Sequence, residues 1–246
     1  MRIARIATPD GPRHVVADGS DWVEIADPFA DTIEKIGPRH SVATARLLAP
    51  VQPLVVLGMA HNGAPGDRDL PRQAFLKSPR TVVGPDAAIV LDDDLGRVNI
   101  ECELVVVIRR HCRHLTEAQV PDVILGYTVG NDVTAVDQIP LDEKMTQSKN
   151  GDGFTPLGPW IETDLDPSAV PMTVRVNGEA VVQANTKQLA WNITEQLVYL
   201  TRYLPLGPGD VLLTGAPGTF AQVKPGDVST VSLDGIGALV NPVRSR

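Results

Sequence analysis

The sequence predicts a mainly β protein with a few helices, for three reasons. Glycine and proline occur 21 times each in 246 residues, cutting the chain into short runs that turn back on themselves. The runs between them, such as Leu104-Val-Val-Val-Ile108, favour the β-branched residues that fit a pleated surface. Firm helical text is confined to two short stretches, so the core has to be built from sheet.

Residues 2–7 and 13–18 alternate around Asp10-Gly11-Pro12, the pattern of a hairpin. Residues 29–48 read as partly helical and end at Pro50-Val-Gln-Pro53, which reads as a linker. The expected organisation is a small N-terminal segment over 1–50 and a main body over 51–246. Leu57 to Asp69 is broken by glycine and proline and reads as a loop able to act as a lid. Ile100 to Ile108 reads as a strand buried on both faces, and Gly126 to Ala135 as a second strand ending in a polar tip. Thr116-Glu-Ala-Gln119 has the form of a capping box, with Pro121 in the early turns of its helix. A firmer helix starts at Asn192, which caps it with Glu195 at the third position. Ile193, Leu197, Leu200 and Leu204 share one face of it, and Pro205 stops it. Gly207-Pro-Gly-Asp-Val211 and Lys224-Pro-Gly-Asp-Val228 each read as a turn leading into a strand.

Chemistry concentrates on three acids: Glu101, Glu103 and Asp132. Alternate strand residues share a face, so Glu101 and Glu103 point one way and Cys102 the other. Two acids on one buried face repel and lose their hydration. Either one stays protonated or a cation sits between them, and the cation is the better explanation. A solvated strand end paired with lysine or arginine is the plainer alternative.

Composition narrows the partners. A formal charge of −8 argues against nucleic acid, whose binding draws on lysine and arginine. No apolar run approaches the roughly 20 residues that span a bilayer, so no membrane is expected. The first ten residues lack the apolar region of a signal peptide. Cys102 and Cys112 are the only cysteines, too few for a disulfide framework or a zinc site. The expected location is cytoplasmic.

In order, Glu101-x-Glu103, Gly126-Tyr-x-x-x-Asn131-Asp132, Lys149, Pro156-Leu-Gly-Pro-Trp160 and Leu212-Leu-Thr214-Gly215 resemble the fumarylacetoacetate hydrolase superfamily, from about Val55 onward. The resemblance implies a mixed β-roll or β-sandwich core with a small N-terminal β segment, and a homodimer. It implies a metal held by Glu101, Glu103 and Asp132. Three oxygen donors suit Mg²⁺ or Mn²⁺, with Ca²⁺ possible, better than zinc, and leave about half of an octahedral shell open to substrate. By the same resemblance Lys149 holds a substrate carboxylate or oxyanion, and Thr214 and Gly215 contact substrate. Phe154, Pro156, Pro159 and Trp160 shape the pocket, and Asn131 bonds the backbone near the metal. The implied activity is on a small 2-oxo or β-diketo acid, by C–C cleavage, decarboxylation, isomerisation or hydration through a metal-stabilised enolate, in a catabolic pathway for aromatic or related compounds.

Two departures qualify that implication. The family's hydrolases and decarboxylases usually carry a histidine and a glutamate three residues later; here Leu57-Gly-Met-Ala-His61 puts a histidine about where a tyrosine is usual. His61 becomes the candidate general base, oriented by Asp67 or Asp69. Val136 stands where the family often has arginine, so either the substrate is less acidic or Arg72, Lys77 or Arg80 supplies the charge. The alternative reading is a non-catalytic metal-binding relative that holds a small acid or a partner.

Overall fold

The computed structural model describes residues 1–246 and is built from two sheets. In the larger, of 13 strands, the main order is Lys35–Ser41, Asp21–Ile25, Gly11–Asp18, Arg2–Thr8, Thr155–Glu162, Ile124–Asn131, Val98–Ile108, Val211–Leu213, Val56–Ala60 and Gln73–Lys77. The smaller, of five, runs Glu179–Asn185, Pro171–Val176, Val228–Leu233, Gly237–Ser245 and Ile89–Leu91. The expected mainly β architecture of the fumarylacetoacetate hydrolase type is what the chain adopts.

Val98–Ile108 organises the core. Ile100, Cys102, Leu104, Val106 and Ile108 face a cluster of 31 buried residues drawn from both sheets. Val105 and Val107 face a second cluster of 14, which includes Ile3, Val16 and Val23 from the N-terminal strands. The strand is therefore buried on both faces. The first segment joins the main body through the same sheet, since Arg2–Thr8 pairs antiparallel with Thr155–Glu162.

The opening hairpin forms as expected, Ile3 pairing with Val16 and Thr8 with Gly11. Both helix starts carry their capping boxes. After Thr116 the helical part is short, a 3-10 turn and then Val120–Val123, whereas Ile193–Thr201 buries Leu197 and Leu200. Both Pro-Gly-Asp turns lead into strands. In each, the aspartate accepts the backbone N–H three residues back, Asp210 from Gly207 and Asp227 from Lys224.

Residues 29–48 are a correction: they contain no helix, and Lys35–Ser41 is a strand along Asp21–Ile25. Gly37 and Pro38 oppose a helix, while an edge strand tolerates a proline whose nitrogen needs no partner. Arg39 fastens the strand, donating to Asp18 at 2.9 Å and Asp21 at 3.0 Å.

Candidate active site

Antiparallel pairing of Val98–Ile108 with Ile124–Asn131 sets Gly130 opposite Glu103 and Asn131 opposite Cys102. The chain then turns so that Asp132 N–H donates to the Glu101 carbonyl at 2.9 Å. Glu101, Glu103 and Asp132 each offer an oxygen, and these atoms lie within 4.8 Å of one another. Asn131 braces the junction: its Oδ1 accepts Glu101 N–H at 3.0 Å and its Nδ2 donates to Ser229 Oγ at 3.0 Å.

Two lysines reach this cluster, and both favour Asp132. Lys77, at the end of Gln73–Lys77 and wholly buried, donates to Asp132 Oδ1 and to the Phe154 carbonyl. Lys149 closes the short helix Thr146–Lys149 and donates to Asp132 Oδ2 at 2.5 Å and Thr134 Oγ1 at 2.6 Å. Its distance to Glu101 is 3.5 Å. Burial pushes the Asp132 carboxyl up, but the two ammonium groups outweigh it and hold Asp132 below the usual carboxylate range. Burial pulls Lys77 down, with Asp132 offsetting part of the effect. Lys149 is held up against burial by Asp132 and Glu101.

Glu103 has no such help. It is 2% exposed and its one hydrogen bond comes from Gly215 N–H at 2.7 Å. Burial, then the neighbouring Asp132 and Glu101 charges, push it well above the usual range. A buried carboxylate facing two others and lacking a cation partner is costly unless a cation is supplied. All donors are oxygen, so the residues fit a hard divalent ion.

These groups line a cavity of about 450 Å³ together with His61, Asn62, Asp67 and Phe75. His61 is exposed at the end of Val56–Ala60, with φ at 53°. Asp67 turns to its own loop, accepting Gly63 N–H at 2.8 Å and Ala64 N–H at 2.7 Å, and Asp69 is exposed. Neither carboxylate is hydrogen-bonded to His61. Thr214 lies behind the cavity, its hydroxyl donating to the Leu104 carbonyl at 2.8 Å. Gly215 holds Glu103 through its amide. Its φ is +113°, and a Cβ would lie 2.6 Å from the Asn62 carbonyl oxygen, so glycine is required there.

Phe154 is in the core and serves the site through its carbonyl. Trp160 stacks obliquely on Trp22, ring centres 6.1 Å apart, and lies outside the cavity lining with Pro156 and Pro159. Of the cations considered for the missing arginine, only Lys77 reaches the acids. Arg72 stacks on Trp191 at 3.9 Å and Arg80 lies on the exposed turn Pro79–Thr81.

Sequence reasoning passed over Asn62, and saw Lys77 only as a spare charge. Asn62 is 2% exposed and ties three segments together. Its Oδ1 accepts Trp191 N–H at 2.6 Å, and its Nδ2 donates to the Thr214 carbonyl at 2.6 Å and the Trp191 carbonyl at 3.1 Å. Arg68 adds a paired contact to Glu195 at 2.7 and 2.9 Å. The loop after His61 is thus latched to the start of helix Ile193–Thr201. The one signal for Lys77 was its alternation with Phe75 on one strand face.

The fold and the acid cluster point to one family. The model for the fumarylacetoacetate (FAA) hydrolase C-terminal domain matches residues 46–244, and the chain belongs to the fumarylacetoacetate hydrolase superfamily. Residues 1–50 match an Rv2993c-like N-terminal model. Among solved structures, 5-carboxymethyl-2-hydroxymuconate delta-isomerase from Mycobacterium smegmatis is 38% identical, with a TM-score of 0.94 over 100% of both chains. Maleylpyruvate hydrolase from Sphingobium sp. SYK-6, in complex with manganese(II) and pyruvate, is 25% identical, with a TM-score of 0.81 over 100% of this chain and 99% of that one. The 4-hydroxyphenylacetate degradation bifunctional isomerase/decarboxylase of Escherichia coli is 32% identical over 251 residues, which is 98% of this chain and 57% of that protein. No helix is long and apolar enough to cross a membrane.

Proposed function

We propose that the chain is a divalent-metal-dependent enzyme that forms the enolate of a small 2-oxo acid, either by loss of CO₂ from a carboxylate on C3 (decarboxylation) or by removal of a C3 proton (isomerisation), in a catabolic pathway. The observation that carries this reading is Glu103: a buried carboxylate with no cation partner, opening onto a cavity that also holds Lys149 and His61. Glu101, Glu103 and Asp132 would hold Mg²⁺ or Mn²⁺. When bound, such an ion polarises the 2-oxo group and stabilises the negative charge that builds on its oxygen, an effect of several kcal/mol.

The protein's own groups do the rest. Lys77 and Lys149 hold Asp132 ionised and fixed, so the donor set is organised before any ion arrives. Lys149 also places a permanent positive charge at the cavity wall, where it attracts a substrate carboxylate. His61 accepts the C3 proton at an imidazole nitrogen and returns it. The absence of a carboxylate bonded to His61 disfavours hydrolysis, because water activation then lacks an oriented base. The relatives named as isomerase and as isomerase/decarboxylase favour the same choice. Thr214 acts by seating the Gly215 turn rather than by touching substrate. A homodimer as assembly follows from the family resemblance, and sedimentation of the purified chain tests it; a cytoplasmic location is the reading of the composition.

Both reactions pass through the enolate, so one assay tests them together. Exchange of the C3 protons of pyruvate in D₂O, followed by NMR, should require both protein and Mg²⁺ or Mn²⁺. Exchange no faster than with the ion alone, for pyruvate and longer 2-oxo acids alike, would refute the reading.

A further inference from the structure

We infer that Arg72 is a specificity-determining residue of this site, receiving a further carboxylate at the far end of the substrate. The inference rests on the reading above and adds what lies beyond C3. The far carboxylate is separate from the one on C3 that decarboxylation releases.

A track leads from the acids to Arg72. Gln73, Phe75 and Lys77 alternate onto one face of the strand Gln73–Lys77. Lys77 bonds Asp132. The Phe75 ring lies 4.7 Å from Lys149 Nζ and lines the cavity. Gln73 lines a second hollow of about 540 Å³, which shares Ala60, Phe75 and Met145 with the cavity. A chain that leaves the acids along Phe75 therefore enters the hollow, and Arg72 stands on its wall. Ala60 pairs with Gln73, so His61 and Arg72 continue from the same end of the two strands, His61 on the cavity side and Arg72 on the hollow side.

The Arg72 guanidinium is held in place but its donors are unspent. It lies 3.9 Å from the Trp191 ring and 6.0 Å from the Tyr199 ring, with no carboxylate or carbonyl of the protein accepting from it. Tyr199 Oη donates to the Arg72 carbonyl at 2.7 Å, and Trp191 is itself tied to Asn62. Arg68 offers the contrast. It lies over the same indole at 4.0 Å and gives its donors to Glu195 and the Ala190 carbonyl. Two guanidinium groups thus share one ring, and only one of them has an anion. Arginine keeps its charge at any working pH. Stacking fixes its plane and leaves free the N–H fork, which matches a carboxylate through two parallel bonds. Lys144 and Glu143, both exposed, also line the hollow; their charges offset each other, and the charge left over is that of Arg72. The group on a 2-oxo acid that complements it is a carboxylate at the far end.

The test uses two pairs of probes that differ only at that end: 2-oxoadipate against 2-oxohexanoate, and 2-oxopimelate against 2-oxoheptanoate. Titration calorimetry of the full chain with Mn²⁺ should give roughly tenfold or more tighter binding of the dicarboxylate in at least one pair, the gain expected of a charge-assisted contact. Arg72→Gln should cut that preference to about twofold or less, and Arg72→Lys, which keeps the charge without the fork, should retain part of it. Mn²⁺-dependent binding with no preference for the dicarboxylate in either pair, or a preference that Arg72→Gln leaves intact, would overturn the inference and leave the 2-oxo acid reading standing. Equal weakening of both members of a pair by Arg72→Gln would do the same, because it would make the residue a support of the rim and not a contact of the far carboxylate. Mn²⁺-independent binding of all four probes, or none, would sink that reading and this inference with it.

Discussion

Asn62→Ala should both loosen the fold and disable the site. The side chain makes three hydrogen bonds, to Trp191 N–H, the Trp191 carbonyl and the Thr214 carbonyl. At about 1 kcal/mol net for each bond the loss is about 3 kcal/mol. Gln196 also donates to the Trp191 carbonyl at 2.8 Å, so that oxygen keeps a partner and the estimate falls to about 2–3 kcal/mol. For a chain of this length each kcal/mol lowers Tm by about 2–4 °C, which gives a drop of about 4–12 °C. The site should suffer beyond this, because Asn62 fixes the loop behind His61 and packs against Gly215, whose amide holds Glu103. Thermal melting and the C3-exchange assay at a temperature where the variant is folded read the two effects separately. A variant that melts within 1 °C of the parent would show that the latch contributes nothing. One that melts lower but exchanges at the parent's rate would show that the latch does not position the site.

Other perturbations test single groups. Glu103→Gln keeps the volume and the acceptor for Gly215 N–H but removes the uncompensated charge. Mn²⁺ at about 100 times its Kd should stabilise the parent by about 2.7 kcal/mol, or about 5–11 °C, and the variant by nearly nothing; an equal shift in both would exclude Glu103 as a ligand. His61→Ala should lower kcat for C3 exchange by about 10²–10⁴-fold, and an unchanged kcat would remove His61 from the reaction. His14 is mostly buried with its Nε2 unpartnered, and burial, then Arg5, lower its pKa. Its neutral form is favoured in the folded state, so the stability it contributes is present above the unfolded value of about 6.5 and is lost as pH falls below that. His14→Gln should flatten the dependence of Tm on pH below about 6.5; an unaltered slope would contradict this.

Strand periodicity and turn chemistry are local, and they were legible. The hairpin around Gly11, both capping boxes, the two Pro-Gly-Asp turns and the two-faced burial of Val98–Ile108 all follow from residues within a few positions of one another. The common direction of Glu101 and Glu103 came from the same alternation. Lys35–Ser41 was misread because its conformation is set by the partner strand Asp21–Ile25 and not by its own periodicity. Asn62 went unseen, and Lys77 stood only as one of three candidate charges, for a related reason. Lys77 meets Asp132 across 55 residues of chain and Asn62 meets Trp191 across 129; only the folded sheet brings them together. Thr214 and Gly215 carried a motif whose place in the molecule shows a different emphasis, the hydroxyl turned to Leu104 and the amide to Glu103.

Titration calorimetry with Mn²⁺, in the presence and absence of oxalate, tests most directly whether Glu101, Glu103 and Asp132 hold an open divalent ion. One Mn²⁺ per chain, bound more tightly with oxalate, is the predicted result, because a chelating 2-oxo acid mimic completes the vacant part of the shell. No binding of Mn²⁺ at millimolar concentration, or binding that oxalate leaves unchanged or weakens, would contradict it.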